Sequence, residues 1–116
     1  MNTRVPSSRI ACLELPAFPL QILLNDEPEW RSHPAVVVDE DKPQGMILWA
    51  NERARRSRIL PGLRYATGLS IDRELRAGVV DQGRISDRLE VILDRLWRFA
   101  PGVEPSSEIA GLFWID

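Results

Sequence analysis

The sequence predicts an α/β (α+β) chain in which a mixed β-sheet is layered with helices, and three observations predict it. The run 35-AVVVD-39 is almost continuously β-branched, as in a strand covered on both faces. The run 46-MILWA-50 follows it across 39-DEDKPQG-45, an acidic stretch of turn-forming residues, so the two read as an antiparallel pair. Residues 84–100 place Ile85, Leu89, Ile92, Leu96 and Phe99 or Ala100 at helical spacing, and 101-PG-102 closes that helix.

The remaining elements follow in chain order. Residues 9–15 form a first strand, and 17-AFPLQILLNDE-27 a short helix with Phe18, Ile22 and Leu23 on one face. Pro28 and Pro34 bracket a connection to the β-branched strand. Asn51 is placed to cap a basic helix over 52-ERARRSR-58, which fades before 61-PG-62. A second short helix covers 63–71, a strand runs over 75–80, and 111-GLFWID-116 is a last strand. The order is β-α-β-β-α-α-β-α-β, without repeats or low-complexity tracts. A chain that stops on a core strand reads as a fragment of a longer protein.

Composition narrows the function classes. Apolar residues make up 44% and charged residues 28% of 116 residues, as in a globular domain, and no apolar run reaches the ~20 residues of a membrane span. The start, 1-MNTRVPSSRI-10, lacks the apolar core of a secretory signal, so the expected compartment is the cytoplasm, with no membrane partner. The single cysteine, Cys12, excludes an internal disulfide, and the single histidine, His33, excludes a histidine metal cluster. No Gly-rich phosphate loop is present, and Asp39 and Asp41 read as a solvated acidic turn. No cofactor is expected.

Net charge is −2, yet residues 53–64 carry Arg53, Arg55, Arg56, Arg58 and Arg64 with no acid among them. Taken alone, such a cluster suits a solvated helix first, and it also suits a surface that meets phosphates, to which arginine offers a planar fork. Trp49, Trp97 and Trp114 fall on strand or helix positions where packing is expected, whereas Trp30, in a polar connection, is the exposed candidate.

The segment 50-ANERARRSRILPGLRYATGLSIDREL-75 resembles the finger region of Y-family, translesion-type DNA polymerases, whose pattern is A-N-Y-x-A-R-x-x-G-(V/I)-x-x-x-M-P. Ala50, Asn51, Ala54, Arg55, Ile59 and Leu63 fall on it without a gap, and 103-VEP-105 and a final strand follow in the family's order. The resemblance implies a palm begun by residues 1–50, a fingers-like helical subdomain over 51–80, and a long helix with a returning palm strand over 81–116. Active members bind two metal ions through a D-x-D-x-F-[FY] strand and an Asp-Glu pair before the later strand. With Phe18 at the last aromatic, a gate-like position, Leu13 and Leu15 stand where the first two aspartates belong, and Glu14 falls between them on the other face. Gly111 and Leu112 replace the later acidic pair, and Glu52 replaces the tyrosine of the finger pattern. A one-residue slip would bring Glu14 onto the first aspartate position without restoring the later pair.

Leucine and glycine side chains give Mg²⁺ no oxygen ligand, so the resemblance implies no catalytic or metal-binding residue here. The combination is closest to the inactive, ImuB-type branch, with 15-LPAFPLQ-21, 46-MILWAN-51 and the final 111-GLFWID-116 fitting it best. That branch implies a scaffold in DNA damage tolerance and induced mutagenesis, bridging a sliding clamp, a replicative-type polymerase and a recombinase-like accessory protein. Arg53, Arg55 and Arg56 are the expected contacts to DNA phosphates or to a partner's acidic face. An active translesion polymerase with displaced ligands, and a stand-alone α/β binding module, are the alternatives.

Overall fold

A computed structural model describes residues 11–99, 102–105 and 111–115, without the side chains of 11–14, Phe99, Val103, Trp114 and Ile115. The order is β1 (Ala11–Glu14), α1 (Phe18–Asp26), a 3₁₀ turn (Pro28–Ser32), β2 (Ala35–Val38), β3 (Ile47–Ala50), α2 (Glu52–Arg56), α3 (Tyr65–Ile71), β4 (Arg76–Gly78), α4 (Gln82–Phe99), β5 (Val103–Pro105) and β6 (Leu112–Ile115). Every predicted element is present, and the fold is the predicted mixed α/β arrangement. Two elements were not predicted, the 3₁₀ turn and β5. The second is a three-residue strand ending on proline at the edge of its sheet, a place where a missing N–H costs no ladder bond.

The chain divides into two compact units, residues 1–18 with 83–116, and residues 19–82. The first holds an antiparallel sheet in the order β1-β6-β5, with Leu13 opposite Phe113 and Glu14 opposite Leu112. Phe113 is fully buried. Along α4, Ile85 is buried and Leu89, Ile92 and Leu96 are half-buried, which agrees with the predicted apolar stripe.

The second unit is built on a sheet in the order β3-β2-β4, antiparallel between β3 and β2 and parallel between β2 and β4. All four residues of β2 are buried, the outcome expected of a central β-branched strand. One sheet face is sealed by Val36, Val38, Ile47, Ala50, Ala54, Ile59 and Leu75. Each large aliphatic side chain among them contributes roughly 1.5–3 kcal/mol by leaving water. The opposite face approaches α1 and the 3₁₀ turn closely: a Cβ on Gly78 would lie 2.7 Å from a Leu23 methyl and 3.5 Å from the Trp30 ring. Leu20, Ile22, Leu23 and Leu24 are all buried, where one apolar helix face was expected.

Strand β3 departs from simple alternation. Val37 pairs with Trp49 and Val38 with Ile47, so Leu48 is an extra, bulged residue. Regular pleating would send Ile47 and Ala50 to opposite faces. The bulge lets both enter the same core and leaves Leu48 and Trp49 at 43% and 37% exposure. The tryptophan expectations therefore need correcting. Trp49 and Trp97 are 37% and 49% exposed where burial was expected, and Trp30 is half-buried rather than exposed. The Trp114 side chain lies outside the described residues.

Helix α2 ends at Arg56, earlier than expected, in a Schellman motif. The N–H of Ile59 donates to the Ala54 carbonyl at 2.9 Å and that of Arg58 to the Arg55 carbonyl at 3.0 Å. Arg58 occupies the left-handed position of this motif, at φ 68°, where glycine is the unstrained choice. Arg58→Gly is expected to stabilise the chain by about 1 kcal/mol in urea unfolding, whereas Arg58→Ala, which removes charge but keeps the Cβ, gives no such gain.

Candidate nucleic-acid interface

The basic segment is held in place by Asn51. Its Oδ1 accepts from the N–H groups of Ala54 and Ala35, both at 3.0 Å, and its Nδ2 donates to the His33 carbonyl at 2.9 Å. Its own backbone N–H donates to the Ala35 carbonyl at 2.9 Å. The expected N-cap is thus present, at an extended backbone (φ −73°, ψ 175°). It also ties α2 to the start of β2, a role that spacing along the sequence did not disclose.

The three expected arginines differ in what they have free. Arg55 donates from Nε to the Ala50 carbonyl at 3.0 Å, which anchors its guanidinium against the end of β3. Arg56 pairs with Glu52 at 3.0 Å across one helical turn, with side chains 71% and 78% exposed. An exposed pair of this kind contributes only about 0.3–0.5 kcal/mol. Arg53 is exposed and has no partner among the described residues.

Arg53 and Arg56 line a cleft of about 410 Å³ together with Leu24, Arg31, Asn51 and Glu52. Arg31 reaches it from the 3₁₀ turn, its guanidinium fixed by Asn25 Oδ1 at 2.6 Å. Three guanidinium groups against one carboxylate make this a cationic hollow in a chain of net charge −2. Sequence reading missed Arg31. It stands in 31-RSHP-34, far from the arginine cluster, and only the fold brings it there.

The positions where the polymerase pattern expects carboxylates lie in the other unit. Leu13 is in β1 and Leu15 follows it, half-buried, its N–H donating to the Gly111 carbonyl at 2.7 Å. Gly111 has φ +86°, and a Cβ there would lie 3.0 Å from both the Leu15 carbonyl oxygen and the Phe18 Cβ. Leu112 begins β6, half-buried, and Phe18 is only 4% exposed. The Glu14 side chain lies outside the described residues. Among the described residues, no three His, Cys, Asp or Glu side chains gather as a metal-binding group, and no helix is long and apolar enough to cross a membrane.

No family model matches the chain, and no curated protein sequence matches it. Solved structures do, and the fold they share with this chain is that of part of a Y-family DNA polymerase. A Y-family DNA polymerase chimera, Dbh-Dpo4(243-245)-Dbh, superposes with a TM-score of 0.73 at 18% identity, over 90% of this chain and 31% of the chimera. DinB from Sulfolobus solfataricus gives a TM-score of 0.71 at 18% identity, over 90% of this chain and 30% of that one. A post-insertion binary complex of Dbh DNA polymerase gives 0.73, with 90% and 30% covered. The chain thus spans about a third of the length of these structures, and at this identity the likeness is one of fold.

Asn51→Ala leaves the Ala35 and Ala54 N–H groups and the His33 carbonyl without their partner. It is expected to cost about 2–4 kcal/mol in chemical denaturation, against about 1–2 kcal/mol for Asn51→Asp, which keeps the acceptor.

Proposed function

We propose that this chain is the palm-and-fingers part of a non-catalytic Y-family polymerase homologue of the ImuB type. Residues 1–50 begin the palm, 51–80 form the fingers, and 81–116 supply the long helix and returning strand. The protein serves as a scaffold in DNA damage tolerance and induced mutagenesis. It holds together a sliding clamp, a replicative-type polymerase and a recombinase-like accessory protein. Its own contact with DNA is weak and runs through the phosphates, by way of Arg53, Arg55 and Arg56.

The likeness of fold to solved DNA polymerases supports the polymerase-derived framework. The observation that carries the non-catalytic reading is Gly111. Its left-handed backbone and the closeness of the Leu15 carbonyl and Phe18 disfavour any side chain at a position where active enzymes need a carboxylate. The neighbouring Leu112 offers no oxygen ligand, so the described residues at these two positions do not fit a Mg²⁺ site, and no two-metal step is assigned to them.

Primer extension by the full-length protein over a range of Mg²⁺ concentrations is expected to give no nucleotide incorporation. Metal-dependent incorporation that is lost on Glu14→Ala would overturn the reading in favour of an active polymerase with displaced ligands. Gly111→Asp tests the local argument. It is expected to destabilise the chain by about 2–4 kcal/mol in urea and to confer no activity, since strain and crowding both oppose it.

A further inference from the structure

The arginines of α2 were expected to act together, but the fold groups them differently. Arg55 is drawn away by its bond to the Ala50 carbonyl, while Arg31 arrives from the 3₁₀ turn to share a cleft with Arg53 and Arg56. We propose that this cleft, between the 3₁₀ turn and α2, seats the phosphodiester backbone of a single nucleic-acid strand. Arg31 and Arg53 grip it directly, and Arg56 joins once the strand displaces Glu52. The inference rests on the nucleic-acid contact proposed above and assigns it a place, a new residue and a built-in competitor.

Four observations carry it. First, the hollow of about 410 Å³ is bounded by two separate segments, the 3₁₀ turn and α2, and guanidinium groups line it from both. Second, its charge is concentrated in guanidinium groups, whose planar forks match phosphate oxygens better than a point charge does. Arg31 is already oriented by Asn25 Oδ1, and Arg53 has no partner among the described residues. Third, its apolar lining is Leu24 alone, itself 9% exposed. An acidic protein segment would gain little there, because protein docking draws its energy from buried aromatic and aliphatic anchors. A nucleic-acid backbone needs none, since charge neutralisation supplies its affinity.

The fourth observation is Glu52. It sits in the cleft and pairs with Arg56 across an exposed turn, so it occupies one guanidinium with the only carboxylate among the described residues that line the cleft. A polyanion can replace it at small cost, which makes the carboxylate a brake on binding.

The test is fluorescence anisotropy of a labelled twelve-nucleotide oligo-thymidylate titrated with the chain over a series of salt concentrations. Arg31→Gln and Arg53→Gln are each expected to weaken binding several-fold and to lower the slope of log K against log salt by about 0.7, the share of one phosphate on a single strand. Glu52→Gln is expected to tighten binding. Arg73→Gln, which removes the same charge from an exposed site outside the cleft, is expected to change neither quantity. Inorganic phosphate is expected to compete no better than chloride at equal ionic strength, as befits a site for a strand rather than a free ion. Circular dichroism checks that each variant is folded, and Arg31→Lys, which keeps the charge, should recover most of the slope.

If Arg31→Gln binds like the parent while Arg53→Gln weakens binding, the cleft is overturned and the wider DNA reading stands. Displacement of the oligonucleotide by poly-glutamate of equal charge, or by inorganic phosphate at low millimolar concentration, would also overturn it, by assigning the cleft to an acidic protein or a small anion. Absence of oligonucleotide binding by the parent at every salt concentration would sink both the cleft and the DNA contact.

Discussion

The second unit depends on one side chain. Asn51 joins the end of β3, the start of β2 and the first turn of α2 through three hydrogen bonds, all partly shielded from water. An amide suits the task because it both donates and accepts: its oxygen satisfies two backbone N–H groups while its nitrogen satisfies a carbonyl. A carboxylate would lack the donor, and a hydroxyl would lack the reach. Because α2 is only five residues long, it has little helical stability of its own, and this cap with the Schellman closure at its other end defines it. Whatever the arginines bind, they bind from a platform whose angle Asn51 sets.

In the first unit, strand pairing decides which residues of distant segments meet. The pairing of β1 with β6 brings Leu15 beside Gly111 and Leu13 opposite Phe113. At Gly111 the backbone lies in the left-handed region, and the space a side chain would need is taken by Phe18 and the Leu15 carbonyl. An acidic side chain at this position would require the turn and its packing to change as well.

Much of this was legible in the sequence, for identifiable reasons. The β-branched run of β2 and the heptad-like stripe of α4 are periodic, and periodicity survives whatever surrounds it. The cap at Asn51 was legible because capping is local. Trp49 was misread because the bulge at Leu48 shifts the strand's phase, and a bulge leaves no compositional mark. Strand β5 was not predicted because three residues ending in proline carry no strand signal on their own. The partnership of Arg31 with Arg53 and Arg56 was invisible for another reason: it is a contact across the fold, between segments whose sequences share no pattern. Only the separate fates of Arg55 and Arg56, one tied to a carbonyl and the other to Glu52, show which guanidinium groups are free to turn outward.

The bulge at Leu48 has a bearing on solubility. Strand β3 lies at the edge of its sheet and carries two large exposed apolar residues, a combination that invites another chain to add on as a further strand. The outward backbone groups of Ile47 are already taken, its N–H by the Leu63 carbonyl and its carbonyl by the Gly62 N–H, both at 2.8 Å. Beyond Ile47 the extra residue breaks the even spacing that an incoming strand would have to match. The same irregularity that admits Ile47 and Ala50 to one core thus protects the edge from stacking against its own copies.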